Sequence, residues 1–358
     1  MKLCAVHHPD VALHHPESFF KRGQLVPIPE VPARAEAVVS LLARRGVPLE
    51  VAPDYGPAPR GAVHTPELLR YLETAHARWI ANPGFSDIII PNVFQGPGMS
   101  GYPTNILGQA GFHASDLSAP IVAGTWAAIT AAANAAVHGA HLLADGVADV
   151  VYAACRPPGH HASRDRIGGF CFLNNAAIAA QEALTLLGAQ GRRQRVAILD
   201  VDAHHGNGTQ EIFWERDDVY FVSLHADPAE FYPYLAGYRG EVGEGRGRGY
   251  TLNLPLPIGA SEPTFLGALA DALAAIAHYG AETLVVSLGF DAYEGDPYQG
   301  LEVTTPGFGR IGGLIAALGL PTLLVQEGGY AVGDLQANLA SFLDGFTAAA
   351  LSPTPANG

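Results

Sequence analysis

Asp200, Asp202 and His204 stand two residues apart, just past the apolar run Val196-Ala197-Ile198-Leu199. Side chains two apart on a strand share a face. A strand continued through this stretch therefore aims two carboxylates and an imidazole at one spot. Acids that follow an apolar strand so closely need a cation to face, and open α/β sheets bind ligands at the carboxyl ends of their strands. The spacing predicts a metal centre. Catalytic metals take three protein ligands and keep a position for water. Asp202 and His204 supply two, and Asp291, behind the apolar run 284–288, is the candidate third. Such an Asp/His/Asp set suits zinc or iron(II).

Two more apolar runs end in reactive residues. Residues 150–154 lead into Cys155-Arg156-Pro157-Pro158-Gly159-His160-His161, and 322–325 into Gln326-Glu327-Gly328-Gly329-Tyr330. Singly, each has an ordinary reading: a helix N-cap for Asp291, exposed histidines, a turn with a packed aromatic. Four strand ends carrying such groups outweigh those readings together. The chemistry they support is metal-assisted hydrolysis, in which the ion polarises a carbonyl and brings the pKa of water toward ~7. One histidine would take the water's proton and pass it to the leaving amine. A tyrosine hydroxyl, here Tyr330, would donate to the oxyanion opposite the metal. Asp200 and Asn207 are placed to hold the two imidazoles. A buried carboxylate partner favours a charged His160, whereas the neutral amide of Asn207 leaves His161 free to act as the base.

These groups need a frame. Helical spacing runs through 33–45, 66–80, 123–144, 174–188, 207–215, 262–279, 306–318 and 334–348, and strand-like runs occupy 2–6, 150–154, 196–201, 219–224, 284–288 and 322–326. Their alternation predicts an α/β fold with a single, mostly parallel central sheet flanked by helices. Gly46 and Gly280 stand where helix C-caps belong. No linker or composition break divides the 358 residues, so 1–351 reads as one domain with a disordered tail at 352–358. Residues 82–120 break the alternation and read as a long functional loop insertion. Within it, Gly96-Pro97-Gly98-Met99-Ser100-Gly101 formally matches a nucleotide loop, but no helix opens at its end. Gly243 to Gly249 reads as a mobile loop near the site's mouth.

Composition narrows the partners. A formal net charge of −14 argues against nucleic acid, since phosphate binding needs a basic surface, and it fits a cationic substrate. No apolar stretch approaches the ~18 residues of a membrane span, and residues 1–6 read as a first strand rather than a signal peptide. Three cysteines, Cys4, Cys155 and Cys171, make no even disulfide framework. They point to a reducing compartment, hence the cytoplasm.

Six blocks resemble, in order, the signatures of the histone deacetylase superfamily. They are Arg156-Pro-Pro-Gly-His-His-Ala162, Gly168-Gly-Phe-Cys-Phe-Leu-Asn-Asn175, Leu199-Asp-Val-Asp-Ala-His-His-Gly-Asn-Gly-Thr209, Ser223-Leu-His225, Ser287-Leu-Gly-Phe-Asp291 and Glu327-Gly-Gly-Tyr330. Leu25-Val-Pro27, Gly124-Thr-Trp126 and His225-Ala-Asp-Pro-Ala-Glu230 are similar to the bacterial acetylpolyamine amidohydrolases within it. The resemblance implies the arginase/deacetylase fold, with zinc on Asp202, His204 and Asp291. It implies His161 as general base and acid, His160 as its electrostatic partner and Tyr330 as oxyanion donor. Phe170, Tyr232 and Gly169 match substrate-tunnel positions. A structural K⁺ or Na⁺ near Asp200, Asp202, His204, Ser223 and Leu224 is implied too, as is a homodimer formed through 82–120.

One position departs from the pattern. Polyamine-type members carry a glutamate in the long loop for the distal ammonium, and the matching residue here is Leu107. Asp116 is close by in sequence, and Glu17 is a further acidic candidate. The expected substrate is thus a small cationic acetylated amine, a short diamine more than a long polyamine. The alternative is an acetyl-lysine peptide or another small amide. An arginase-like ureohydrolase is set aside, because its second metal needs a carboxylate where this chain has Gly206. A ligand-binding protein without catalysis would have lost His161, Tyr330 or a metal ligand, and all are present.

Overall fold

The structure, a computed structural model, describes residues 1–351, so the predicted tail lies outside the described residues. The chain opens with β1 (Leu3–His7), a hairpin of β2 (Ser18–Lys21) and β3 (Gln24–Pro27), helix α1 (Ala33–Arg44) and β4 (Leu49–Val51). Helices α2 (Ala58–Gly61), α3 (Pro66–Ile80), α4 (Ile106–Phe112) and α5 (Thr125–Ala144) lead to β5 (Val150–Ala153). There follow α6 (Asn175–Ala189), β6 (Val196–Asp200), α7 (Asn207–Phe213), β7 (Val219–Ala226), β8 (Thr251–Leu256) and β9 (Ala260–Ser261). The chain closes with α8 (Glu262–Tyr279), β10 (Thr283–Leu288), β11 (Leu301–Glu302), α9 (Thr305–Ala316), β12 (Thr322–Gln326) and α10 (Val332–Leu351).

Eight strands form one sheet in the order β4-β1-β5-β12-β10-β6-β7-β8, every neighbouring pair parallel. This is the expected α/β architecture, a single parallel sheet flanked by helices. Parallel sheets survive only with both faces covered, and β5, β6, β10 and β12 are buried along their whole length. One apolar core lies between the sheet and the alanine-rich α5 and α6, the other between the sheet and α8, α9 and α10. Each Val, Leu or Ile buried there contributes roughly 1.5–3 kcal/mol. Small residues let α5 settle close to the sheet: a Cβ at Gly139 would stand 2.5 Å from Leu323 Cδ1.

The differences from the sequence reading have physical reasons. The edge strands β4 and β8 were not expected. β4 is only three residues long, and β8 carries Pro255, which an edge tolerates because its missing N–H is not needed there. Residues 82–120 are not structureless. Asn105 caps α4 by accepting from Leu107 N at 2.8 Å, and a bridge between Ile89 and Ile121 ties the segment's ends. Strand β6 stops at Asp200, and 202–204 is a bend. Strand alternation therefore does not explain how Asp202 and His204 converge; the bend does.

Candidate active site

The four strands whose ends carry reactive residues are neighbours in the middle of the sheet: β5, β12, β10 and β6. Their registers are level, with Ala153 opposite Val325, Val325 opposite Ser287 and Ser287 opposite Asp200. Every loop that leaves this row opens at the same height, so residues as far apart in sequence as His160 and Tyr330 share one floor.

Asp202, His204 and Asp291 are brought together there, with one ligand atom of each within 4.8 Å of the others. His204 Nδ1 lies 3.1 Å from Asp202 Oδ1 and 2.9 Å from Asp291 Oδ2. Backbone amides orient the carboxylates: Gly328 N donates to Asp202 Oδ2 at 2.8 Å and Ala203 N to Asp291 Oδ1 at 2.9 Å. Bare backbone surrounds them. A Cβ on Gly289 would meet Asp202 Oδ2 at 2.2 Å, and one on Gly328 would meet Asp291 Oδ2 at 2.3 Å. Among the described residues no lysine or arginine forms an ion pair with either acid; only histidines do. Burial alone would strip His204 of its proton, yet the two carboxylates push its pKa up to about 9. That pull on a positive charge, from two hard oxygens and one imidazole, fits a divalent ion such as zinc or iron(II).

The paired histidines lie beside this set, ring centroids 4.0 Å apart, and differ in environment. His160 donates from Nδ1 to Asp200 Oδ2 at 3.0 Å. Burial opposes its charge, but Asp200 and then Asp202 outweigh that and raise its pKa well above normal. His161 donates from Nδ1 to Asn207 Oδ1 at 2.7 Å, which leaves its Nε2 lone pair free. Burial, then repulsion from His160 and His204, hold its pKa well below normal. His161 faces the cavity above the floor, as His204 does.

Glu327 secures the floor from below. It accepts from Gly159 N at 2.6 Å, His160 N at 3.2 Å and Ser287 Oγ at 3.2 Å, and burial pushes its pKa up to about 7. Tyr330 follows three residues on. Its amide donates to Asp296 Oδ2 at 2.8 Å, and its ring lies under Arg34, whose Cζ is 4.9 Å from the ring centroid. Arg34 itself donates to the Gly329 carbonyl at 2.7 Å. Burial keeps the Tyr330 phenol well above its usual pKa, hence protonated. Sequence reasoning passed over Arg34, because an arginine inside an amphipathic helix reads as solvated. It is fully buried and fixes the tyrosine loop.

Above the floor opens a cavity of about 630 Å³. Its walls are aromatic: Phe170 meets Phe19 at 5.0 Å and Tyr330 at 5.7 Å, while Phe231 stacks on His204 at 4.8 Å. Tyr232 packs edge-on to His161 at 4.9 Å and donates its hydroxyl to Asp116 Oδ2 at 2.5 Å. Gly169 lines the cavity and also makes room for His161. Its φ is +53°, and a Cβ would stand 2.2 Å from His161 Cδ2. All four non-glycine residues with left-handed backbones among those described, Arg22, Phe170, Tyr234 and Gln299, line this cavity. Such strain clusters where function over-determines the backbone.

Not every expected residue arrives. Leu107 sits in the first turn of α4 with its side chain against the core, outside the cavity of its own chain. Helix formation turned it inward, whereas Asp116 lines the cavity and accepts from the Tyr232 hydroxyl. Glu17 is exposed and likewise outside the cavity. The loop 243–249 is not at the mouth either. Arg246 pairs with Asp217, and Gly247 packs against the Trp214 backbone. Ser223 lies opposite Asp200 in the β6–β7 register, with Leu224 next to it, so the residues expected around a monovalent cation are also adjacent.

Comparison with known proteins agrees with this fold. The model of the histone deacetylase domain matches residues 28–346. An acetylpolyamine amidohydrolase from Burkholderia pseudomallei is 47% identical over 349 residues, covering 95% of this chain and 98% of its own. One from Mycoplana ramosa is 44% identical over 325 residues, covering 90% and 93%. A crystal structure of the Burkholderia pseudomallei acetylpolyamine aminohydrolase superposes with a TM-score of 0.92 at 46% identity, over 98% of this chain and 99% of that one. The central parallel sheet, the level strand ends and the relatives together make this chain a member of the histone deacetylase family.

Proposed function

We propose that this protein is a metal-dependent amide hydrolase that removes acetyl groups from small N-acetylated amines, polyamines or short diamines. The observation that carries the reading is one cavity whose floor holds Asp202, His204 and Asp291 beside His161 and Tyr330. Asp202, His204 and Asp291 would hold zinc or iron(II), which when bound supplies a Lewis acid for the acetyl carbonyl and acidifies water.

The chain's own groups divide the remaining work. His161, kept neutral by burial and by repulsion from His160 and His204, takes a proton from the attacking water as the C–O bond forms. It returns that proton to the amine nitrogen as the C–N bond breaks, so acetate and a free amine leave. His160, held cationic by Asp200, balances the acids beneath without competing for the water's proton. The protonated Tyr330 phenol donates to the oxygen of the tetrahedral intermediate. Phe170 and Tyr232 grip the alkyl chain, and aromatic faces also suit an ammonium. Asp200, Asp202, His204, Ser223 and Leu224 would surround a structural K⁺ or Na⁺. Exposed Val93, Phe94 and Met99 in 82–120 support assembly as a homodimer.

The test is steady-state deacetylation of acetylputrescine, acetylcadaverine, acetylspermine and an acetyl-lysine peptide by metal-loaded enzyme. Preference for the small acetylated amines is expected. Tyr330→Phe should retain metal and lose ~10²-fold or more in kcat, as removal of an oxyanion donor does. Near-normal turnover in that variant would remove Tyr330 from the mechanism.

A further inference from the structure

The residue that must place a hydroxyl in the cavity follows two glycines. Gly328 and Gly329 lead into Tyr330, and Gly329 sits at φ +118°, a conformation that residues with side chains rarely adopt. A backbone with so much freedom does not by itself fix the direction of the next side chain. Two tethers reach it from other segments. Arg34 donates to the Glu327 carbonyl at 2.5 Å and to the Gly329 carbonyl at 2.7 Å, ahead of the tyrosine. Asp296 supplies the bond at the tyrosine itself, where its Oδ2 accepts from Tyr330 N at 2.8 Å.

Asp296 is buried in the loop between β10 and β11, and its own backbone is locked. Its amide donates to the Tyr293 carbonyl at 3.0 Å, and its carbonyl accepts from Gln299 N at 3.1 Å. The second carboxylate oxygen, Oδ1, accepts from Tyr298 N at 2.9 Å. The Tyr298 ring in turn packs edge-on to Tyr330 at 5.2 Å and to His204 at 5.4 Å. One carboxylate therefore fixes both the Tyr330 backbone and a ring that flanks its side chain. Pro297, Tyr298 and Gln299 line the cavity, whereas Asp296 stands behind them. A buried carboxylate is costly to hold, and the hydrolysis described above makes no direct use of this one.

We infer that Asp296 is the positioning residue for Tyr330: by accepting from the Tyr330 and Tyr298 amides it holds the phenol where the oxyanion forms. This rests on the deacetylase reading above and deepens it, because Asp296 acts through Tyr330 and not on the substrate. An asparagine of the same shape cannot replace it, since its NH₂ group would face one of the two N–H donors.

The test is a double-mutant cycle on metal-loaded enzyme with acetylputrescine as substrate. Asp296→Asn should lower kcat by ~10-fold, part of the ~10²-fold that an ångström of misplacement costs, with KM little changed and metal content equal to wild type. In a Tyr330→Phe background the same change should lower kcat by less than ~2-fold, because the hydroxyl it places is gone. Asp296→Ser keeps an acceptor for Tyr298 N in a serine turn but is too short to reach Tyr330 N. It should lose kcat in the same way, and it carries the test if Asp296→Asn does not fold. Losses that multiply in the double variant would overturn the inference. So would full turnover by Asp296→Asn, or loss of its metal, which would tie Asp296 to the Asp291 loop instead. A wild type that hydrolyses no acetylated amine would overturn the deacetylase reading itself.

Discussion

At the cavity floor, Asp200, Asp202, Asp291 and Glu327 follow directly on adjacent, fully buried strands, each carboxylate met by an amide or an imidazole. At the rim, Lys21, Arg22, Glu230 and Tyr234 come from a hairpin and loops, lie partly in solvent, and include left-handed backbones. The floor's groups cannot move without leaving a buried charge unpaired, which is costly. The rim's groups can change with little effect on the core. Chemistry is therefore anchored in the sheet, and selectivity is delegated to segments that tolerate substitution.

That contrast can be broken from either side. The largest effect belongs to the floor: Asp291→Ala should purify with little bound metal by mass spectrometry and show no measurable turnover. Full metal occupancy would show that a different third carboxylate is used. Next comes the junction of floor and rim. Gly169→Ala adds a Cβ 2.2 Å from His161 Cδ2 and should displace the imidazole. A shift of this size costs ~10²-fold in kcat, read as kcat against wild type with metal content unchanged. A fully active variant would mean the loop yields more easily than the floor. The smallest effect is at the rim, where Arg22→Asn should raise unfolding stability by about 1 kcal/mol by relieving a left-handed backbone. The urea midpoint reports it, and a decrease would mean that Arg22 holds the hairpin in place.

Much of the floor was legible because its residues are clustered in sequence. The apolar run 196–199 announces a buried strand, and the acids behind it have one plausible place to go. His160, His161, Asp200 and Asn207 pair in the structure as their types suggest. The legible part had limits even there: the bend at 202–204, not strand alternation, brings Asp202 and His204 together. The rim was largely illegible. Nothing near Lys21 in sequence reveals that it meets Tyr298, 277 positions away, and Leu107 does not line the cavity of its own chain. Loop residues carry no periodicity that says which way they face.

The amino-acid sequence by itself determined the strand–helix alternation, the reactive strand ends and the type of chemistry, because burial periodicity and donor chemistry act locally. Only the tertiary structure decided that the four strand ends stand side by side and level, that Arg34 is buried against the Tyr330 ring, and which charges face the cavity. Those facts depend on strand order and on contacts between distant segments, which become definite only when both faces of the sheet are packed.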